Sequence, residues 1–288
     1  MASWISKLKT KLSNFPRGQE QIWWLIEHQK WWPIQLLAPL GFWAGFLLLF
    51  HISLVPIGAA IFATAVIVHI FLHELGHLAV YETMAPSRIL WLFPIGAVAA
   101  PMSREEDKRI DATITYWTAA WLGQAGVLVN IAPLVILGLV MFLKSGSAYT
   151  FACGAGLMFG AVIVTFNLIP FWQTDGNLVF RTIMISLGEK RGKVLVWTVI
   201  GIAITIILVT ILIHPMAGFT GLYNKPVARL TGWVSLPAIL AASVWQSWKT
   251  NSKKVMTNKP MTSLQAILHF TLHLEMFLFA IFVLFGFP

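Results

Sequence analysis

His73 and His77 stand four residues apart, with Glu74 directly after the first of them. On a helix, side chains four apart project from one face a turn apart, so the two imidazoles can grip one zinc ion. Glu74 then lies beside the ion, placed to take a proton from activated water rather than to ligate the metal. The alternative is that both histidines bond to other helices while burial keeps Glu74 neutral. Catalytic zinc takes three protein ligands and keeps one position open. Cys153 is the only cysteine, which leaves neither a disulfide framework nor a thiolate cluster, so the third ligand must be His, Asp or Glu. The best remaining candidate is Asp175, at the end of the stretch from Phe166 to Gly176. Pro170 interrupts a helix there and Gly176 permits close backbone approach. Without a metal, Asp175 reads as a helix N-cap.

Other histidines carry less. His69 shares the stripe one turn before His73 and reads as a supporting or packing residue. His269 and His273 repeat the metal-binding spacing, but Glu275, two residues on, faces away from His273, so the three suit polar contacts between helices better than a second metal site. His28, His51 and His214 fall near expected membrane interfaces.

The elements that must position these residues are membrane helices. Of 288 residues, 58% are hydrophobic and 11% charged, too apolar for a hydrated globular surface. The expectation is an all-α polytopic membrane protein with about seven spans, by the rule that roughly 18 apolar residues cross a bilayer. They fall at Trp32–Phe50, Val55–Tyr81, Ile114–Phe142, Tyr149–Phe171, Val194–Ile213, Leu230–Trp248 and Ser263–Phe287, the sixth weakened by Pro237 and several polar residues. With the N-terminus in the cytoplasm, Lys144, Lys225 and Arg229 are the lysines and arginines left outside, as the positive-inside rule expects. The bilayer expected is a prokaryotic cytoplasmic membrane. The net charge of +9 is scattered over short connections rather than gathered into a stripe, which argues against nucleic acid.

Residues 1–31 form an amphipathic, interfacial N-terminal segment in this reading, and 32–288 a single transmembrane domain. Met1–Phe15 is no cleavable signal peptide, since Lys7, Lys9 and Lys11 interrupt it. Between the second and third spans, the apolar half of Pro86–Ala112 suits a short hairpin dipping into the membrane, and its charged half, Arg104–Asp111, a solvated loop. No stretch is long and polar enough for a separate soluble domain.

From about Val66 to Ile185 the chain resembles the site-2 protease family of intramembrane zinc metalloproteases. The resemblance rests on His-Glu-x-x-His at His73, Glu74 and His77, and on Asn-x-x-Pro-x-x-x-x-Asp-Gly at Asn167, Pro170, Asp175 and Gly176. Ala125-Gly126-Val127-Leu128-Val129-Asn130 is similar to the family's Ala-Gly-Pro-x-x-Asn, with Val127 in place of proline. Pro94-Ile95-Gly96 is similar to its membrane-associated hairpin, which usually carries a glycine pair. The resemblance implies a three-helix metalloprotease core at about residues 55–188, without a PDZ or regulatory soluble domain. It implies His73, His77 and Asp175 as Zn2+ ligands, Glu74 as general base, and Asn130 and Asn167 as groups that position substrate backbone or the developing oxyanion. Both asparagines suit interhelical hydrogen bonding equally. The implied substrate is a transmembrane or membrane-associated peptide, cut near the cytoplasmic side. A membrane transporter and a non-proteolytic metal-binding relative are the alternatives.

Overall fold

The structure is a computed structural model that describes residues 19–28, 32–51, 56–92, 96–143, 148–170, 174–213, 226–252 and 258–285. Residues 1–18, expected to lie on the membrane surface, and Pro94-Ile95 of the family-like hairpin stretch fall outside the described residues. The elements run α1 Gln19–Glu27, α2 Trp32–His51, α3 Pro56–Tyr81, β1 Ser87–Leu92, β2 Gly96–Pro101, α4 Arg104–Thr113, α5 Tyr116–Leu143, α6 Ala148–Leu168, α7 Asp175–Ile213, α8 Pro226–Asn251 and α9 Ser263–Phe285.

The protein is mostly helical, as a backbone that must satisfy its own polar groups in lipid requires. Among the described residues, four helices are long and apolar enough to cross a membrane, over Pro56–Tyr81, Tyr116–Val140, Asp175–Val209 and Ser263–Leu284. This corrects the expected seven. The described apolar parts of α2 and α6, Gln35–His51 and Cys153–Leu168, are shorter helices. Helix α8 is long, but Pro237, Gln246, Lys249 and Asn251 dilute its apolar run.

Burial organises the bundle around α5. Val127 and Leu134 of α5, Val164 and Leu168 of α6, Phe180 and Met184 of α7, Val244 of α8 and Phe277 of α9 share one core cluster. Helix α3 packs on α5 and α6 through a stripe at helical spacing, Ala59, Ala63, Val66, His69, His73 and His77. Small residues at its start let the backbones approach, and polar ones follow.

The expected hairpin is present. β1 and β2 pair antiparallel with Ile89 opposite Ala99 and Leu92 opposite Gly96. The Gln35 side chain treats β1 as a third strand would, accepting from Trp91 N at 2.7 Å and donating to Trp91 O at 3.1 Å. That satisfies an edge that would otherwise stay unpaired. Leu90 and Leu92 pack on Trp23 and Ile26 of α1.

The charged half of this connection is a helix, α4, and not the expected loop. Ser103 caps it, accepting from Glu106 N at 3.2 Å, and Glu105, Glu106 and Asp107 occupy its positive first turn. Ser103-Arg104-Glu105-Glu106 has the Ser-x-x-Glu pattern of a capping box, a signal that its charge density obscured.

Helix α7 breaks at Gly188, whose φ of 68° and ψ of −173° are adopted at little cost only by glycine. The first half carries Val179, Phe180, Ile183 and Met184 into the core, and in the second half the apolar run starts at Val194, after Glu189, Lys190, Arg191 and Lys193. Gly188→Ala is expected to cost about 1–3 kcal/mol through strain alone, because no atom lies within 4 Å of the added carbon. Gly201→Ala, equally open but on helical backbone, is expected to be neutral or stabilising. Thermal unfolding of both variants in detergent checks the contrast.

Candidate metal centre

The stripe on α3 delivers His73 and His77 into the bundle, each less than a tenth exposed. Asp175 comes from the other direction, at the first residue of α7. It is not the N-cap: Thr174 holds that place, its carbonyl accepting from Asn177 N and Leu178 N at 3.1 and 3.4 Å. Thr174 Oγ1 in turn donates to Ile169 O at 2.7 Å, tying the start of α7 to the residue after α6. The Asp175 side chain is thereby free to face α3.

Three donor atoms converge. His73 Nε2 lies 3.0 Å from His77 Nε2, and Asp175 Oδ2 lies 2.8 Å from the former and 3.2 Å from the latter. Two imidazole nitrogens and a carboxylate oxygen aimed at one point need a cation among them, a proton or a metal ion. Tetrahedral zinc with N and O ligands at about 2.0–2.2 Å separates its donors by about 3.3 Å at the short end of that range. The observed triangle needs to open by about half an ångström or less to match. His73, His77 and Asp175 could therefore hold a metal ion.

The surroundings suit that role. His77 Nδ1 lies 2.7 Å from Leu122 O, and a carbonyl only accepts, so Nδ1 carries a proton and Nε2 is the atom turned to the shared point, its lone pair available to a metal in the neutral ring. On α5, a Cβ at Gly126 would stand 2.5 Å from His77 Nε2 and 2.8 Å from His73 Cε1. A Cβ at Gly76 would collide with the carbonyl of Ala125. The two glycines let α3 and α5 cross closely enough for α5 backbone to reach His77.

Glu74 is buried beside the donors, 8% exposed, and its Oε2 accepts from Ala99 N of β2 at 2.7 Å. That bond ties the hairpin to α3 and leaves Oε1 for other work. Sequence reasoning missed the Ala99 amide, the Leu122 carbonyl and Gln35, because backbone partners and cross-element contacts leave no residue-type signal.

The asparagines sit elsewhere. Asn130 Oδ1 lies 3.1 Å from His69 Nδ1, which places His69 as a supporting contact one turn from the donors. Asn130 Nδ2 is buried and has no hydrogen-bond partner among the described residues. Asn167 donates to Ile163 O of its own helix at 3.1 Å. An apolar groove of about 560 Å³ runs between α3, α5 and α6, past Thr64, Val68 and Ile136 to His69. On α9, His269 and His273 are buried as helix-to-helix contacts, whereas Glu275 faces outward.

Comparison with protein-family models, with curated proteins and with solved structures returned no match.

The donor triangle makes Asp175→Ala and His77→Ala lose bound metal. Each is expected to weaken binding by at least about 10-fold, against no change for His28→Ala, read by metal analysis after dialysis of purified protein. Undiminished metal in Asp175→Ala would remove the third ligand.

Proposed function

We propose that the chain is an intramembrane zinc metalloprotease of the site-2 protease type, hydrolysing a transmembrane or membrane-associated peptide near the cytoplasmic side. The observation that carries the reading is the meeting of His73, His77 and Asp175 with Glu74 buried alongside, on a helix apolar enough to cross a membrane. Ionisable groups at membrane depth are costly and usually have a task. Four of them gathered at one point, with an acid that is not a ligand, match the needs of peptide hydrolysis.

His73, His77 and Asp175 would hold the zinc. When bound, zinc lowers the pKa of water and polarises a carbonyl. Glu74 accepts the proton at Oε1 and passes it to the leaving amine, while Ala99 N keeps Oε2 in place. The buried Nδ2 of Asn130 is a donor in reserve for substrate backbone, behind the His69 that lines the groove. Asn167 would have to leave Ile163 O to do the same. The substrate must unwind locally, because a helix ties up its own amides.

Glu74→Gln is expected to lower cleavage by about 100-fold or more while zinc content stays at the wild-type level. Peptides from the membranes and medium of cells making either form identify the product: fragments missing only with Glu74→Gln name the substrate and its cut. Full cleavage by purified Glu74→Gln protein contradicts the mechanism, and zinc-independent ion flux would favour a transporter.

A further inference from the structure

The metal donors come from α3 and α7, yet α9 reaches the same region from behind. His269 Nδ1 lies 2.6 Å from Gln124 Oε1, and Gln124 Nε2 donates to His269 O at 2.8 Å. This reciprocal pair fastens α9 to α5 two residues from Gly126. One turn further along α9, His273 Nε2 lies 2.6 Å from Leu168 O. A carbonyl only accepts, so Nε2 carries the proton and donates.

Leu168 is the last residue of α6, and the final carbonyls of a helix have no partner within it. In a bundle that excludes water, such a carbonyl costs free energy unless another group donates to it. Pro170 has no N–H to offer, and Thr174 Oγ1 serves Ile169 O instead. His273 fills the vacancy at Leu168. Gly176 also lies against that carbonyl, where a Cβ would collide with Leu168 O and stand 3.0 Å from Asn167 O. Leu168 O thus meets both His273 and the residue immediately after Asp175.

We propose that His273 is a positioning residue for the metal centre: by donating to Leu168 O it holds the end of α6 against Gly176 and so sets Asp175 at the donor point. This rests on the reading of His73, His77 and Asp175 as metal ligands. The requirement is for a donor rather than for an imidazole, because His273 Nδ1 has no hydrogen-bond partner among the described residues. The perpendicular packing of the His273 and Phe180 rings, 4.9 Å between centroids, is a contact that an apolar residue can also supply.

The test compares full-length wild type, His273→Gln, His273→Leu and His273→Met in detergent, by zinc affinity from chelator competition. The two donor-free variants are expected to bind zinc about 10- to 100-fold more weakly, and His273→Gln, which keeps an N–H donor, within about threefold of wild type. Amide exchange of residues 169–178 in metal-free protein is expected to quicken in His273→Leu and His273→Met alone. Wild-type affinity in both donor-free variants overturns the proposal. So does an equal loss in His273→Gln, which would make ring volume the cause. A wild type that binds no zinc overturns the metal reading itself, and the role of His273 with it.

Discussion

Two imidazoles and a carboxylate cannot share a point inside an apolar bundle without a cation between them, because the surrounding dielectric offers little to offset their repulsion. His73, His77 and Asp175 are brought to such a point from segments 98 residues apart. Much of the rest of the fold answers to that requirement. The stripe on α3 begins with alanines, which let the backbones close, and ends in histidines, which need the space so made. Gly126 leaves the volume above the rings empty, and Leu122 O fixes the tautomer of one of them.

The site also explains why elements outside the three central helices are present. Helix α7 cannot present Asp175 unless the end of α6 stops cleanly, and stopping a helix in a bundle leaves carbonyls to be satisfied. Thr174 and His273 answer two of them from different elements. The hairpin answers another need. Its Ala99 amide holds one oxygen of Glu74, which keeps that carboxylate beside the donors. Gln35 secures the far edge of the same hairpin through Trp91, which links α2 to Glu74 by way of β1 and β2.

Helical period made the His73–His77 face readable, and Pro170 and Gly176 marked irregular backbone beside Asp175. The helix segments were readable from apolar runs alone, because lipid rewards composition rather than contacts. Span number was not. Length and apolarity support four among the described residues, since α8 is diluted by polar residues and the described apolar parts of α2 and α6 are short. The α4 helix lay hidden because Arg104–Asp111 reads as solvated charge, although Ser103 and Glu106 mark its start. Gly188 was not readable as a break, because only the backbone angles distinguish it from a helical glycine such as Gly201. The partners of Glu74, His77 and Leu168 are backbone atoms or distant side chains, and only the folded chain brings them into reach.

The central claim is that this bundle holds a metal ion on two imidazoles and one carboxylate. Zinc-edge X-ray absorption on the purified, zinc-loaded protein tests it most directly. The arrangement predicts a four-coordinate shell of nitrogen and oxygen donors at about 2.0–2.2 Å, with the outer scattering of two imidazoles and no sulfur. A six-coordinate all-oxygen shell, or a spectrum without imidazole scattering, would contradict it.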